Sequence, residues 1–153
     1  MNKSLIIQAI REALREEFET FQNSSKTTRA AGNDAESKSE GKYDTRSIEE
    51  NYLADGLARQ ALAAAEAAQA YEHLPAGTFG ADAPIDVGAL IRLEFPDESS
   101  WFFLGPAGGG IEVTCDDVAV TVITPESPLG SQLLGRKLGD RLTSPTAHIL
   151  AVE

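Results

Sequence analysis

The sequence is short of the residues from which sites are most easily assembled. A single cysteine, Cys115, and two histidines, His73 and His148, stand among 153 residues. One cysteine excludes an internal disulfide, and three such ligands scattered along the chain lack the paired spacing of a zinc site. Cys115 lies in Glu-Val-Thr-Cys-Asp, a strand-like setting where a buried, inert thiol is expected, and both histidines are read as structural. Cations are scarce as well. The 13 Lys and Arg face 24 Asp and Glu, and the net charge of −11 excludes wholesale coating of a nucleic-acid backbone. No apolar run reaches the roughly 20 residues that cross a bilayer, and the start of the chain lacks the basic-then-apolar pattern of a secretion signal. A cytoplasmic protein without membrane contact is expected.

Enough apolar material remains for a core. At 42% hydrophobic, the chain suffices for one medium domain or two small ones. From Lys3 to about Gly32, Ile7, Ile10, Leu14, Phe18 and Phe21 recur at spacings of three and four, the stripe of an amphipathic helix. Ser4 is placed to cap its start, and Gly32-Asn33 to stop its end. The run Asn23 to Thr28 is a poor helix former. A second helix is predicted from about Thr45 to Leu74, its stripe drawn from Leu53, Leu57, Ala61, Ala64, Ala68 and Tyr71, its weak point Gly56 and its terminator Pro75. Two such helices joined by about twelve polar residues can bury their stripes only against each other. The expectation is an antiparallel, coiled-coil-like hairpin over residues 1–75, with about thirty residues, or roughly 45 Å, per arm. Its acidic tip spans 33–44, where Asp34, Glu36, Glu40 and Asp44 outnumber Lys38 and Lys42.

Beyond Pro75-Ala-Gly the hydrophobic period falls to two. Residues 87–95, 100–104, 111–114, 118–123 and 147–152 form short β-branched or aromatic runs, parted by Pro, Asp, Ser and Gly. They predict a small β domain over 79–153, giving an α+β fold. Pro96-Asp-Glu-Ser-Ser and Gly108-Gly-Gly read as hairpin turns. A phosphate-cradling role for the glycines is disfavoured, because no Gly-Lys-Ser/Thr follows and the next segment is a strand. One short helix interrupts the strands. Ser127 is its N-cap, Pro128 suits its first position and Gly135 the residue beyond its end, while Leu129, Leu133 and Leu134 supply an apolar side.

The stretch Ile123-Thr-Pro-Glu-Ser-Pro-Leu-Gly-Ser-Gln-Leu-Leu-Gly-Arg-Lys-Leu-Gly-Asp resembles the signature of the C-terminal domain of the GreA/GreB family of bacterial transcription elongation factors. In that family a Ser-Pro, a small residue, a Leu-Leu or Leu-Ile, a Gly-Lys-type turn and a Gly-Asp follow in this order. The likeness extends to Val87-Gly-Ala-Leu-Ile-Arg-Leu, to Trp101-Phe-Phe-Leu-Gly and to the closing strand Ala147 to Val152. In the first half it is architectural, a helical hairpin preceding the β domain. The resemblance implies an FKBP-like β domain that docks at the rim of the RNA polymerase secondary channel while the hairpin enters it. There, tip acids share a Mg2+ ion with the polymerase and help it hydrolyse backtracked RNA. The factor is then no enzyme itself, meets the RNA 3′ end only indirectly, binds no metal tightly alone and is expected to be a monomer.

The family's tip pattern is Gly-Asp-x-x-Glu-Asn, and Asp44 matches its Asp. Three residues on stands Ser47. The next acids, Glu49 and Glu50, lie about 140° and 240° around a helix from Asp44 at ~100° per residue. Glu49, Glu50, or Glu40 or Glu36 from the loop, are the candidates for the second carboxylate. Asp44 also suits an N-cap, and Ser47 with Glu50 has capping-box spacing. Tyr43 either packs at the tip or touches a partner. Ser127, Pro128, Leu129, Leu133 and Leu134 are the candidate docking residues, although a capping role explains Ser127, Pro128 and Leu129 equally well. Three other readings remain: a polymerase regulator that docks without cleaving, a prolyl isomerase suggested by the FKBP-like fold alone, and a coiled-coil adaptor. Against the isomerase, Trp101, Phe102 and Phe103 are consecutive and alternate between strand faces, so they cannot line one cavity.

Overall fold

The structure, a computed structural model, describes residues 1–38, 45–80 and 82–153, with side chains of the first helix described as far as residue 33. Its elements are α1 Lys3–Lys38, α2 Thr45–Ala70, β1 Leu90–Glu94, β2 Ser99–Leu104, β3 Glu112–Cys115, β4 Val118–Ile123, α3 Pro128–Leu133, β5 Arg141–Thr143 and β6 Thr146–Val152. The expected α+β class and order are thus observed, two long helices preceding a small β domain with one short helix. Contacts divide the chain into two compact units. One joins Met1–Ala13 to Ala67–Glu153 and the other spans Leu14–Glu66.

In the unit Leu14–Glu66 the two helices run antiparallel. The Ser25 hydroxyl donates to the Ala54 carbonyl at 2.8 Å, Arg29 pairs with Asp55 at 2.6 Å, and a Cβ built on Gly32 would lie 3.4 Å from Glu50. From Ser25 opposite Ala54 to Gly32 opposite Glu50, rising numbers in α1 meet falling numbers in α2, while the long Arg29 side chain reaches back to Asp55. On α1 the packed residues are Leu14, Phe18, Phe21, Ser25, Thr28 and Gly32, and on α2 they are Ser47, Glu50, Ala54, Leu57, Ala61 and Ala64, all buried or half-buried. Their alternating three- and four-residue steps form the heptad seam of a coiled coil.

Four sequence expectations change here. The helix does not stop at Gly32, because that glycine is buried in the seam opposite Glu50 and Asn51 and α1 continues to Lys38. The polar run Asn23 to Thr28 stays helical with two of its hydroxyls bonded to backbone carbonyls: Ser25 bonds across the seam, and Thr27 donates to the Asn23 carbonyl at 3.0 Å. Asn2, not Ser4, caps α1, its side-chain oxygen accepting from the Ser4 and Leu5 amides at 3.1 and 3.4 Å. Leu53 is 58% exposed while Ala54 beside it is wholly buried, so small residues define the α2 seam and the larger apolar residue points out.

The other unit holds a six-stranded sheet of order β3-β4-β2-β1-β6-β5, antiparallel except for the β2–β4 pair. One face carries Ile91, Leu93, Leu104, Ala147 and Ile149, packed with Leu133 of α3 and with Ile85. On the opposite face Phe103 meets Tyr71, whose ring centroid lies 6.3 Å away. The Tyr71 hydroxyl donates to the Ala107 carbonyl at 2.7 Å. Burial raises its pKa well above the ordinary phenol value. Lys3, only 6% exposed, donates to the Gly77 carbonyl and sits 4.9 Å over the Phe79 ring. Burial lowers its pKa, and Glu153 partly opposes that shift.

The turn at residues 95–98 is a hairpin as expected, closed by the Phe95 amide donating to the Glu98 carbonyl at 2.7 Å. Gly108–Gly110 is a turn but not a hairpin, since β2 runs beside β4 and not β3. The β3–β4 hairpin turns instead at Asp116 and Asp117, with φ of 52° and 61°, the paired left-handed residues of a type I′ turn. Strand β5, three residues long, was not expected. It carries no β-branched run and is recruited by pairing with β6.

Candidate functional site

The stretch from Ser127 to Asp140 is built largely from local bonds. Ser127 caps α3 as predicted, its hydroxyl accepting from the Gly130 amide at 3.0 Å and donating to the Thr124 carbonyl at 2.7 Å. Pro128 occupies the first turn. Gly130 has no room for a side chain, because a Cβ there would lie 1.9 Å from the Thr124 carbonyl oxygen. Gly135 takes the expected positive φ of 78°, and its amide donates to the Ile85 carbonyl at 2.8 Å. The Asp140 carboxylate accepts from the Lys137 amide at 2.9 Å, and the Gly139 amide reaches the Ile149 carbonyl at 3.0 Å. The Gly-Asp pair thereby pins this connection to β6.

The three leucines assigned to one apolar side separate. Leu133 is wholly buried, Leu129 is half-buried against the same core, and Leu134 is 46% exposed as the C-cap residue. Only Leu134 and the exposed Pro128 are free to meet a partner directly. Leu138, 44% exposed, together with exposed Arg136 and Lys137, was missed by sequence reasoning. The available signal was two adjacent cations between leucines in a chain with 13 cations in all. This segment offers an apolar and basic surface on a net-acidic protein.

At the other candidate region, Asp44, Glu40 and Tyr43 lie outside the described residues, as does the side chain of Glu36. Glu49 and Glu50 are described and diverge, as a 100° step around a helix requires. Glu49 is exposed. Glu50 turns into the seam, where one oxygen accepts from Arg46 at 3.1 Å and the other is buried with no hydrogen-bond partner among the described residues. The capping-box reading of Ser47 and Glu50 fails. Helix α2 already begins at Thr45, and Ser47 is a 5%-exposed seam residue inside the first turn. Ser47, where the family pattern has its second acid, therefore faces α1.

Among the described residues no group of three or more His, Cys, Asp and Glu is placed to hold a metal ion. Exposed Glu49 presents a carboxylate, a hard oxygen donor. Cys115 is half-buried, less than expected, and both burial and the neighbouring Asp116 raise its thiol pKa, which leaves little thiolate for attack. The His148 Nε2 donates to the Gly139 carbonyl at 3.1 Å, and its ring lies 3.9 Å from Glu94 on the rim of a groove with Phe95, Pro96 and Arg141. The aromatic triplet divides as expected. Trp101 lies beneath Arg92 at 5.9 Å and Phe103 meets Tyr71, whereas Phe102 packs edge-on against Phe95 at 6.2 Å. No helix among the described residues is long and apolar enough to cross a membrane.

No protein-family model matches the chain, and no curated protein matches it. Among solved structures, the chain is similar to a structure of the transcription factor Gfh1, at 18% identity and a TM-score of 0.36, over 95% of this chain and 94% of that one. It is likewise similar to the GreA factor homolog 1 (Gfh1) protein of Thermus thermophilus, at 18% identity and a TM-score of 0.36, over 96% of this chain and 94% of that one.

Proposed function

We propose that the chain is a bacterial, cytoplasmic factor of the GreA/GreB type that binds RNA polymerase through its secondary channel and acts on stalled or backtracked elongation complexes. The observation that carries this reading is the Ser-Pro…Leu-Leu-Gly…Gly-Asp signature, folded as a capped helix and a pinned turn in a chain that begins with an antiparallel helical hairpin. In this reading the β domain docks through Leu134, Arg136, Lys137 and Leu138, whose leucines and cations suit an apolar, acidic partner surface. The hairpin brings Asp44 and Glu49 to the polymerase active site.

The chain acts there as a cofactor-like stimulator, not as an enzyme. Mg2+ shared with the polymerase would supply water activation and charge neutralisation for phosphodiester hydrolysis. The contribution of this chain is to place carboxylate oxygens and hold them on a stiff helical support. Contact with the RNA 3′ end is indirect.

A second reading keeps the docking and drops the cleavage. It is favoured by Ser47, buried where the second acid of the family pattern would stand, and by Glu50, held in the seam beside Arg46. A cleavage assay on backtracked complexes separates the two. Hydrolysis that is stimulated by the chain and lost in Asp44→Ala, with binding retained, supports the first. Binding without hydrolysis supports the second, and absence of binding removes both. Neither prolyl isomerase activity nor an adaptor role is favoured by a specific contact, and the aromatic triplet does not converge on one pocket.

A further inference from the structure

The seam accounts for one side of α2 and leaves unexplained large apolar residues on the other. Ile48, Tyr52 and Leu62 are 50%, 71% and 59% exposed. With Asp55, Arg59 and Glu66, also exposed, they recur at steps of four, three, four, three and four. That is a second heptad row, off the seam face of α2, from which Asp55 reaches back to Arg29 of α1. It runs for about 27 Å at ~1.5 Å per residue.

We infer that this outer row of α2 is a self-association surface on which a second copy of the chain pairs antiparallel about a twofold axis beside residue 57. The register follows from the sequence. Antiparallel pairing about that point sets Tyr52 against Leu62 of the other copy, Asp55 against Arg59, and Ile48 against the methylenes of Glu66, each contact made twice as a twofold interface demands. A parallel pairing would set Asp55 on Asp55 and Arg59 on Arg59, which like-charge repulsion disfavours. Asp55 already holds Arg29 at 2.6 Å, so Arg59 of the second copy would complete an Arg-Asp-Arg cluster. Gly56, beside the axis, fits the same account. It is among the poorest helix formers, and a Cβ built there meets no atom within 4 Å in its own chain. A glycine unexplained by intrachain packing permits a second helix to approach closely. The association goes beyond the polymerase reading and does not depend on it, but the hairpin it covers is the one that reading sends into the channel, so the pair must part before docking.

Sedimentation equilibrium of the full chain tests this. A contact of about five turns falls at the small end of specific interfaces, so a dimer with a dissociation constant on the order of 10–100 µM is expected. Tyr52→Glu should weaken it by at least about tenfold. Asp55→Arg and Arg59→Asp should each be monomeric alone and form a one-to-one heterodimer when mixed, since both charge contacts between the copies, repulsive in either homodimer, then become attractive. That rescue also proves that both variants are folded. A chain that remains monomeric to about 1 mM, the weakest affinity worth naming, overturns the inference and leaves the row to a partner of different sequence. A dimer indifferent to Tyr52→Glu, or charge variants that fail to pair on mixing while circular dichroism shows them folded, overturns it equally.

Discussion

A Cβ placed on Gly105 would lie 2.0 Å from the Tyr71 hydroxyl, so the backbone at the end of β2 is the floor on which the tyrosine of the α2 terminus rests. The same ring carbon bearing the hydroxyl would be 3.0 Å away and Val122 3.2 Å. Tyr71 is 1% exposed and cannot swing aside. Gly105→Ala is therefore expected to destabilise the fold by about 1–3 kcal/mol through overpacking. Tyr71→Phe should cost about 1 kcal/mol for the lost bond to Ala107. Combined, the two should cost less than their sum, because removing the hydroxyl removes the closest clash. Urea denaturation of the three variants measures the coupling.

Tyr71 also sets an alkaline limit. Its folded-state pKa is raised above the ordinary 10.0 by burial, so the phenol stays protonated in the folded chain where the unfolded chain would ionise. The stability this group contributes is complete below pH 10.0 and is lost as pH rises beyond it. Lys3, with its lowered pKa, works in the opposite direction, but its effect lies below the ordinary 10.5, largely under the window in which Tyr71 loses stability. The thermal midpoint should fall between pH 9 and pH 11 in the wild-type chain and fall less in Tyr71→Phe.

Ser127 joins both ends of the α3 turn. Ser127→Ala should cost about 1 kcal/mol as a lost cap, and Ser127→Thr, which keeps a donor and an acceptor, should cost little. If polymerase binding follows stability across the pair, the serine is structural. A loss of binding in Ser127→Thr with stability kept would make it a contact residue. Leu133→Ala should cost about 2–5 kcal/mol from the core, whereas exposed Leu134→Ala should stay within about 0.5 kcal/mol.

The fold was legible because its two halves have unmistakable periods, threes and fours before Pro75 and twos after it. What sequence reasoning missed follows from packing between elements. Gly32 and the Ser25 region looked like helix breakers, yet the seam packs Gly32 opposite Glu50 and offers the Ser25 hydroxyl a carbonyl. Leu53 was chosen over Ala54 because larger apolar residues are expected inside, while close helix approach selects the alanine. At the candidate site the Ser-Pro cap was readable since its bonds are local. The exposure of Leu134 and Leu138, which only the cations between them hint at, and the inward turn of Glu50 depend on neighbours distant in sequence.

Glu50 gives a test that distinguishes a seam residue from a tip acid. It occupies a heptad position with one oxygen buried and unpartnered among the described residues. Glu50→Leu should raise stability by about 1 kcal/mol by placing apolar surface there. It should leave any transcript cleavage intact, whereas Glu49→Ala should reduce cleavage without changing the unfolding midpoint. A fall in cleavage for Glu50→Leu in a stabilised protein would assign Glu50 to the active centre.

The most direct test of the central claim is equilibrium binding of the full chain to bacterial RNA polymerase core, measured beside a Leu134→Glu/Leu138→Glu variant and a chain with residues 33–44 replaced by a Gly-Ser bridge. The account predicts saturable one-to-one binding by the wild-type chain and a loss of at least about tenfold in the double glutamate variant, whose exposed positions leave folding untouched. It predicts that the bridged chain still docks but has lost all action on backtracked complexes. No binding by the wild-type chain at micromolar concentrations, with the protein folded, would contradict it.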